Sequence, residues 1–139
     1  MKLLLTGIKN GKSCVVEAKD CDPTIAAVFI PLLQLDFDHL PSRQPGEAEV
    51  MKLAFPERTL NWWRIRFGPN ATVAMHQTDT VDCHTIVSGS VDLLLSDGPH
   101  RLSAGDSAIV TGVDHGWKAG PEGYSTSVIM IATPKNRGE

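Results

Sequence analysis

Apolar residues along the second half of the chain recur at every other position. From Asn61 to Gly68, Trp63, Ile65 and Phe67 alternate with Trp62, Arg64 and Arg66, the period of a half-buried strand whose side chains point to two faces in turn. Short apolar runs of strand length follow at Val73 to His76, His84 to Val87, Val91 to Leu95, Arg101-Leu102, Ser107 to Val110, Gly116 to Lys118 and Ser127 to Ile131. The punctuation between them is Gly68-Pro69-Asn70, Gly89, Asp97-Gly98, Gly105-Asp106, Gly112 and Gly120-Pro121, residue types that turn a backbone. No run carries a sustained helical period with caps. Many short antiparallel strands with frequent turns predict an all-β fold, a closed barrel of jelly-roll type.

The first sixty residues are less regular. Leu3 to Leu5 and Ser13 to Ala18 read as strands joined through Asn10-Gly11, a dipeptide that tolerates positive φ and suits a hairpin. A polar turn is expected from Lys19 to Pro23. The apolar run 25–37 then fits strand and helix alike, and Pro31 favours an extended edge segment. Between Asp36 and Asn61 stand Pro41, Pro45, Gly46 and Pro56 around an apolar island at Val50 to Phe55; long irregular segments of this kind often serve as lids or partner-contacting arms.

Length and charge narrow the picture. A chain of 139 residues suits one domain, with residues 1–60 as N-terminal strands and irregular arm and residues 61–133 as barrel core. A net charge of −3 and a pI near 5.9 supply no field to gather phosphate backbones or anionic lipid, so neither nucleic acid nor membrane is an expected partner. The leading apolar run breaks at Thr6-Gly7, short of a secretory or spanning segment. Three cysteines, Cys14, Cys21 and Cys83, lack zinc-like spacing and cannot all pair, which predicts a reducing, cytoplasmic setting.

Candidate chemistry gathers in Met75 to Gly89, MHQTDTVDCHTIVSG. Strand parity puts His76 and Thr78 on one face with Gln77 on the other; past a turn at Asp79 to Val81, Asp82, His84 and Ile86 share a face, with Cys83, Thr85 and Val87 opposite. A later strand can bring His115, in GVDHGW, to the same place. Two imidazoles and a carboxylate on one side of a divalent ion suit Fe(II) and tolerate Zn, Mn or Ni. Trp117 shares the face of His115 and is expected to wall the pocket, Asp79 to cap backbone N–H groups in its turn, and Cys83 to be a packed thiol facing away from His84. His39 and His100 read as surface loop residues; Trp62 and Trp63 read as core or partner-surface aromatics.

Two of these stretches resemble a small single-domain cupin. They are Gly68 to Gly98, with His76, Asp82 and SGSVDLLLSDG, and LSAGDSAIVTGVDHGW, with Gly105, Gly112 and His115; together they cover about a third of the chain. The pattern is similar to a subgroup whose first motif reads His-x-Thr-Asp-Thr-x-Asp and whose second ends Gly-x-x-His-x-Trp. The resemblance implies a cupin jelly roll in which His76, Asp82 and His115 hold a divalent metal (Fe, Mn, Zn or Ni), with Thr78 as a pocket residue where a second His is usual and Asp82 where Glu is usual. It implies a small organic molecule as ligand, an oxygenase, isomerase or lyase activity with His84 as the acid-base group, and a homodimer. The alternatives are a metal-free acid-base epimerase or cyclase and a non-catalytic ligand-binding module.

Overall fold

The structure, a computed structural model, describes residues 1–20 and 31–135, and among these the regular elements are nine strands and no helix. They are β1 (Lys2–Lys9), β2 (Lys12–Asp20), β3 (Glu49–Val50), β4 (Leu60–Phe67), β5 (Thr72–Gln77), β6 (Thr80–Leu95), β7 (Gly98–Ser103), β8 (Ser107–Val110) and β9 (His115–Ala132). Asn10 and Gly11, with φ of 51° and 74°, form the tight turn of the β1–β2 hairpin as their residue types predict. Lys19 and Asp20, where a turn was expected to start, still belong to β2; the rest of that expected turn, with Cys21, and the start of the apolar run 25–37 lie outside the described residues.

Two strands are longer than their sequence runs suggest. The runs at His84 to Val87 and Val91 to Leu95 are one strand, β6, and those at Gly116 to Lys118 and Ser127 to Ile131 are one strand, β9. Gly89 therefore bends a strand and does not end one. It holds φ at 72°, opposite Tyr124 and close to Gly123 at 74°, and the ladder slips register on either side of it. The backbones approach so closely that a Cβ on Gly89 would strike the carbonyl oxygen of Gly123.

The bends let each long strand serve two sheets. The first half of β6 pairs β8 and its second half pairs β7, while the first half of β9 pairs β5 and its second half pairs β4. One wall thus runs β2-β1-β8-β6-β9-β4 and the other β7-β6-β9-β5-β3. This is the all-β jelly-roll arrangement expected, with one correction: the sheet is mixed. The β1–β8 and β3–β5 pairs are parallel, both made by strands that precede residue 60 and reach their partners through long connections.

Between the walls, one end is filled by Ile86, Val91, Leu93, Leu102, Val110 and their neighbours, each such side chain stabilising the fold by about 1.5–3 kcal/mol. Opposite parity sends Leu3, Val81 and Ile109 to the outside of the first wall, where Leu35 covers them. The other end of the barrel is not packed solid. Over it runs the irregular arm, whose one strand is the two-residue β3. Hydrogen bonds fix its course: Gln44 N–H to the Gly112 carbonyl (2.8 Å), Met51 N–H to the Gln77 carbonyl (2.8 Å), and the Glu47 and Ala48 N–H groups to the Asp114 carboxylate (2.8 and 3.2 Å). Among the described residues no helix is long and apolar enough to cross a membrane.

Candidate functional site

The open end of the barrel is a cavity of about 230 Å³. Its polar groups come from three strands: His76 and Thr78 at the end of β5 and just past it, Asp82 and His84 on β6, and His115 on β9. Trp117, Tyr124, Ile65, Phe67 and Val73 make its apolar wall, and Met51 and Leu53 of the arm close over it. Strand parity explains the selection: Asp82 and His84 point inward because Cys83 and Thr85 point outward, and His76 and Thr78 because Gln77 faces the arm. All six residues expected at the site line this one cavity.

The rings touch in sequence across it. His76 and His115, opposite one another in the β5–β9 ladder, stand 4.3 Å apart by ring centroids at 54°. His84 lies 4.7 Å from Trp117, and Trp117 lies 6.5 Å from Tyr124. Each imidazole has its Nδ1 engaged. Nδ1 of His76 lies 2.8 Å from the Ala74 carbonyl and Nδ1 of His115 lies 2.8 Å from the Val113 carbonyl, so in both Nδ1 carries the proton that the carbonyl accepts, and in His115, whose burial disfavours a second proton, Nε2 keeps a lone pair. Nδ1 of His84 lies 3.2 Å from the Thr126 hydroxyl, whose own proton goes to the Thr85 carbonyl at 3.2 Å. That hydroxyl then accepts from Nδ1–H, and His84 too is left with a bare Nε2.

Electrostatics follow from burial. Asp82 is pushed up to about 6 by burial, with the Thr80 hydroxyl beside it pulling the other way. Burial takes His84 down to about 3, helped by the neighbouring His115. Burial also takes His115 down to about 4, against the opposing pull of the Val113 carbonyl. At neutral pH the His84 and His115 imidazoles are uncharged, and the Asp82 carboxyl is held well above the ordinary carboxylate range. One of its oxygens, Oδ1, is buried without a hydrogen-bond partner.

A divalent ion was expected on His76, Asp82 and His115. The donor types suit one: two Nε2 atoms backed by Nδ1–H···O=C bonds, and a carboxylate oxygen without a partner. The spacing does not, since among the described residues no three His, Cys, Asp or Glu side chains stand close enough together to hold an ion. The residues match an ion in kind and not in arrangement.

Other expectations are revised. Asp79 does not cap its own turn: its Oδ1 receives Arg43 Nε at 3.1 Å. His100 is a strand residue on β7, 2.6 Å from Asp97, whereas His39 lies on an exposed turn beside Asp36. Cys83 is a free thiol on the outward face, pushed up to about 11 by burial and by the Asp82 charge. Trp62 is 73% exposed and donates Nε1–H to the Ser127 hydroxyl, while Trp63 packs toward Phe55. Tyr124, Thr126 and the arm residues Met51 and Leu53 were not singled out by the sequence. Only the inward parity of Ile65 and Phe67 pointed to that wall.

No protein-family model matches the chain. Two proteins of Diaporthe leptostromiformis, phomopsin biosynthesis cluster proteins C′ and D, are each 35% identical to it over 51 residues, 36% of this chain. The chain thus matches 27% of the length of each of these curated relatives. Among solved structures, a conserved protein of unknown function from Streptococcus pyogenes is similar over 58% of this chain and 70% of its own, with a TM-score of 0.50 and 12% identity, a likeness of fold alone. An RmlC-like cupin from Shewanella frigidimarina is similar over the same shares, with a TM-score of 0.49 and 24% identity.

Proposed function

We propose that the barrel binds a small organic molecule with an apolar body and one hydrogen-bond-donating group, a hydroxyl or an amine, and acts on it by proton transfer through Asp82. The observation that carries this reading is the buried, unpartnered Oδ1 of Asp82, set beside the imidazoles of His76, His84 and His115 in the cavity lining. A buried carboxylate oxygen without a partner costs about 1–3 kcal/mol or more, and a guest that donates to it removes that cost. The Nε2 atoms of His76 and His115 would orient the same guest. His84, neutral across the physiological range, would be a positioning group held by Thr126, and the acid-base role expected of it passes to Asp82. The partial likeness to biosynthesis-cluster proteins supports a small-molecule client.

A divalent ion is the other guest that these groups suit, and the unpartnered Asp82 oxygen favours it as the second reading. His76, His115 and Asp82, the ligands the sequence suggested, would have to draw closer together than they stand here to hold it.

Saturation-transfer NMR with benzyl alcohol and with toluene tests the first reading. The native protein is expected to prefer the alcohol, and Asp82→Asn to lose the preference; equal binding of both by the native protein would overturn it. Loss of a ligand C–H signal in D₂O separates an enzyme from a binding module. Elemental analysis after incubation with Fe(II), Mn(II), Zn(II) and Ni(II) settles the second reading, which predicts one ion per chain and none in His76→Ala.

A further inference from the structure

A second, larger cavity of about 460 Å³ lies on the far side of Leu53 from the histidines. Leu53 is the one residue that lines both. Val50, Phe55 and Ala132 give the outer cavity an apolar floor, and Lys52 and Lys135 stand at its rim. Among the described residues no carboxylate pairs with either ammonium group; Lys135 meets Glu57 through its backbone N–H.

Asp79 is the single acid in the lining, and it is already neutralised. Its Oδ1 takes Arg43 Nε at 3.1 Å, from a guanidinium side chain only 6% exposed. The side-chain balance of the cavity is therefore positive. A third feature points to a guest: the hydroxyl of Thr133, a residue 3% exposed in this lining, is buried without a hydrogen-bond partner. A hydroxyl that gives up its bonds to water on folding and finds no protein partner is a donor waiting for an acceptor.

We infer that this outer cavity is a binding site for a small organic anion, an aliphatic carboxylate whose chain lies on Val50, Leu53, Phe55 and Ala132 and whose carboxylate meets Lys52, Lys135 and the Thr133 hydroxyl. The chemistry differs from that of the inner cavity, whose acid is the buried Asp82. An anion is repelled there by Asp82 and attracted here by two ammonium groups. The inference stands apart from the function proposed for the inner cavity.

Calorimetric titration of the full chain with hexanoate and with hexan-1-ol tests it. Hexanoate is expected to bind one per chain, at least about tenfold more tightly than the alcohol, because charge-assisted hydrogen bonds distinguish the two. Lys52→Gln with Lys135→Gln, both on exposed side chains, should remove that difference. Thr133→Val should weaken hexanoate a few-fold and leave hexan-1-ol unchanged. Asp82→Asn, which acts on alcohols in the inner cavity, should leave hexanoate binding unchanged. Equal affinity for acid and alcohol, no binding at all, or hexanoate binding that follows Asp82 and not the lysines would each overturn the inference.

Discussion

Two buried polar clusters lie side by side in this barrel, and they are built to opposite ends. Where the arm meets the barrel, every partner is supplied by the protein: Arg43 donates to Asp79 and to Gln77 Oε1 (3.1 Å), Gln77 Nε2 donates to the Gln44 carbonyl (2.8 Å), and Asp114 accepts two backbone N–H groups. A few ångströms of strand away, Asp82, His76, His84 and His115 line a cavity, and Asp82 Oδ1 is buried without a hydrogen-bond partner. Parity along β5 separates them, since Gln77 faces the arm while its neighbours His76 and Thr78 face the cavity. A satisfied network of this kind anchors a segment; an unsatisfied one is kept for something that arrives.

The comparison can be broken at either side. The largest effect is expected from Arg43→Met, which strips Asp79 and Gln77 of their donor in a mostly buried place and should cost about 3 kcal/mol in urea unfolding. A cost below about 0.5 kcal/mol, the range of an ordinary surface change, would show that the arm is not anchored there.

Asp82→Asn should do the reverse and stabilise the protein. Its carboxyl is held above its ordinary value, so the folded state resists ionisation that the unfolded chain accepts. Stability is lost as pH rises from about 4 through about 6, and the substitution should restore on the order of 2 kcal/mol at pH 7 and nothing below pH 4. Chemical denaturation at the two pH values reads this directly, and a destabilised variant at pH 7 would argue that Asp82 is structural.

The histidines give the smallest effect at neutral pH. His84 and His115 are held below their ordinary value by burial, so they leave stability untouched at pH 7.5. As pH falls through about 6.5 the unfolded chain gains protons that the folded state refuses, and stability declines towards pH 4. His84→Leu removes one of the two contributions. Between pH 7.5 and 5 its loss of stability should be about 2 kcal/mol smaller than that of the native protein; equal slopes would mean that His84 is not kept neutral by its surroundings.

Much of the site was legible before any fold was known. Alternation is a local property, and it put His76 with Thr78, Asp82 with His84, and His115 with Trp117 on shared faces because successive side chains of a strand point to opposite sides. The same rule failed to announce β6 and β9 as continuous, since a glycine that turns a chain and a glycine that bends a strand look alike in sequence. It also misread Asp79, whose partner Arg43 is 36 residues earlier in the chain.

The sequence by itself determined the all-β class, the hairpin at Asn10-Gly11 and which residues face inward, all of which depend on neighbours a few positions away. Only the tertiary structure decided how those inward residues meet. The bends at Gly89 and Gly123 fold each long strand across both walls, bringing β5, β6 and β9 around one cavity. They set two histidine rings against each other and leave Asp82 Oδ1 with no partner, and among the described residues they bring no three metal-ligating side chains together. Distances across a barrel depend on strand curvature and register, and those are fixed by packing between residues far apart in the chain.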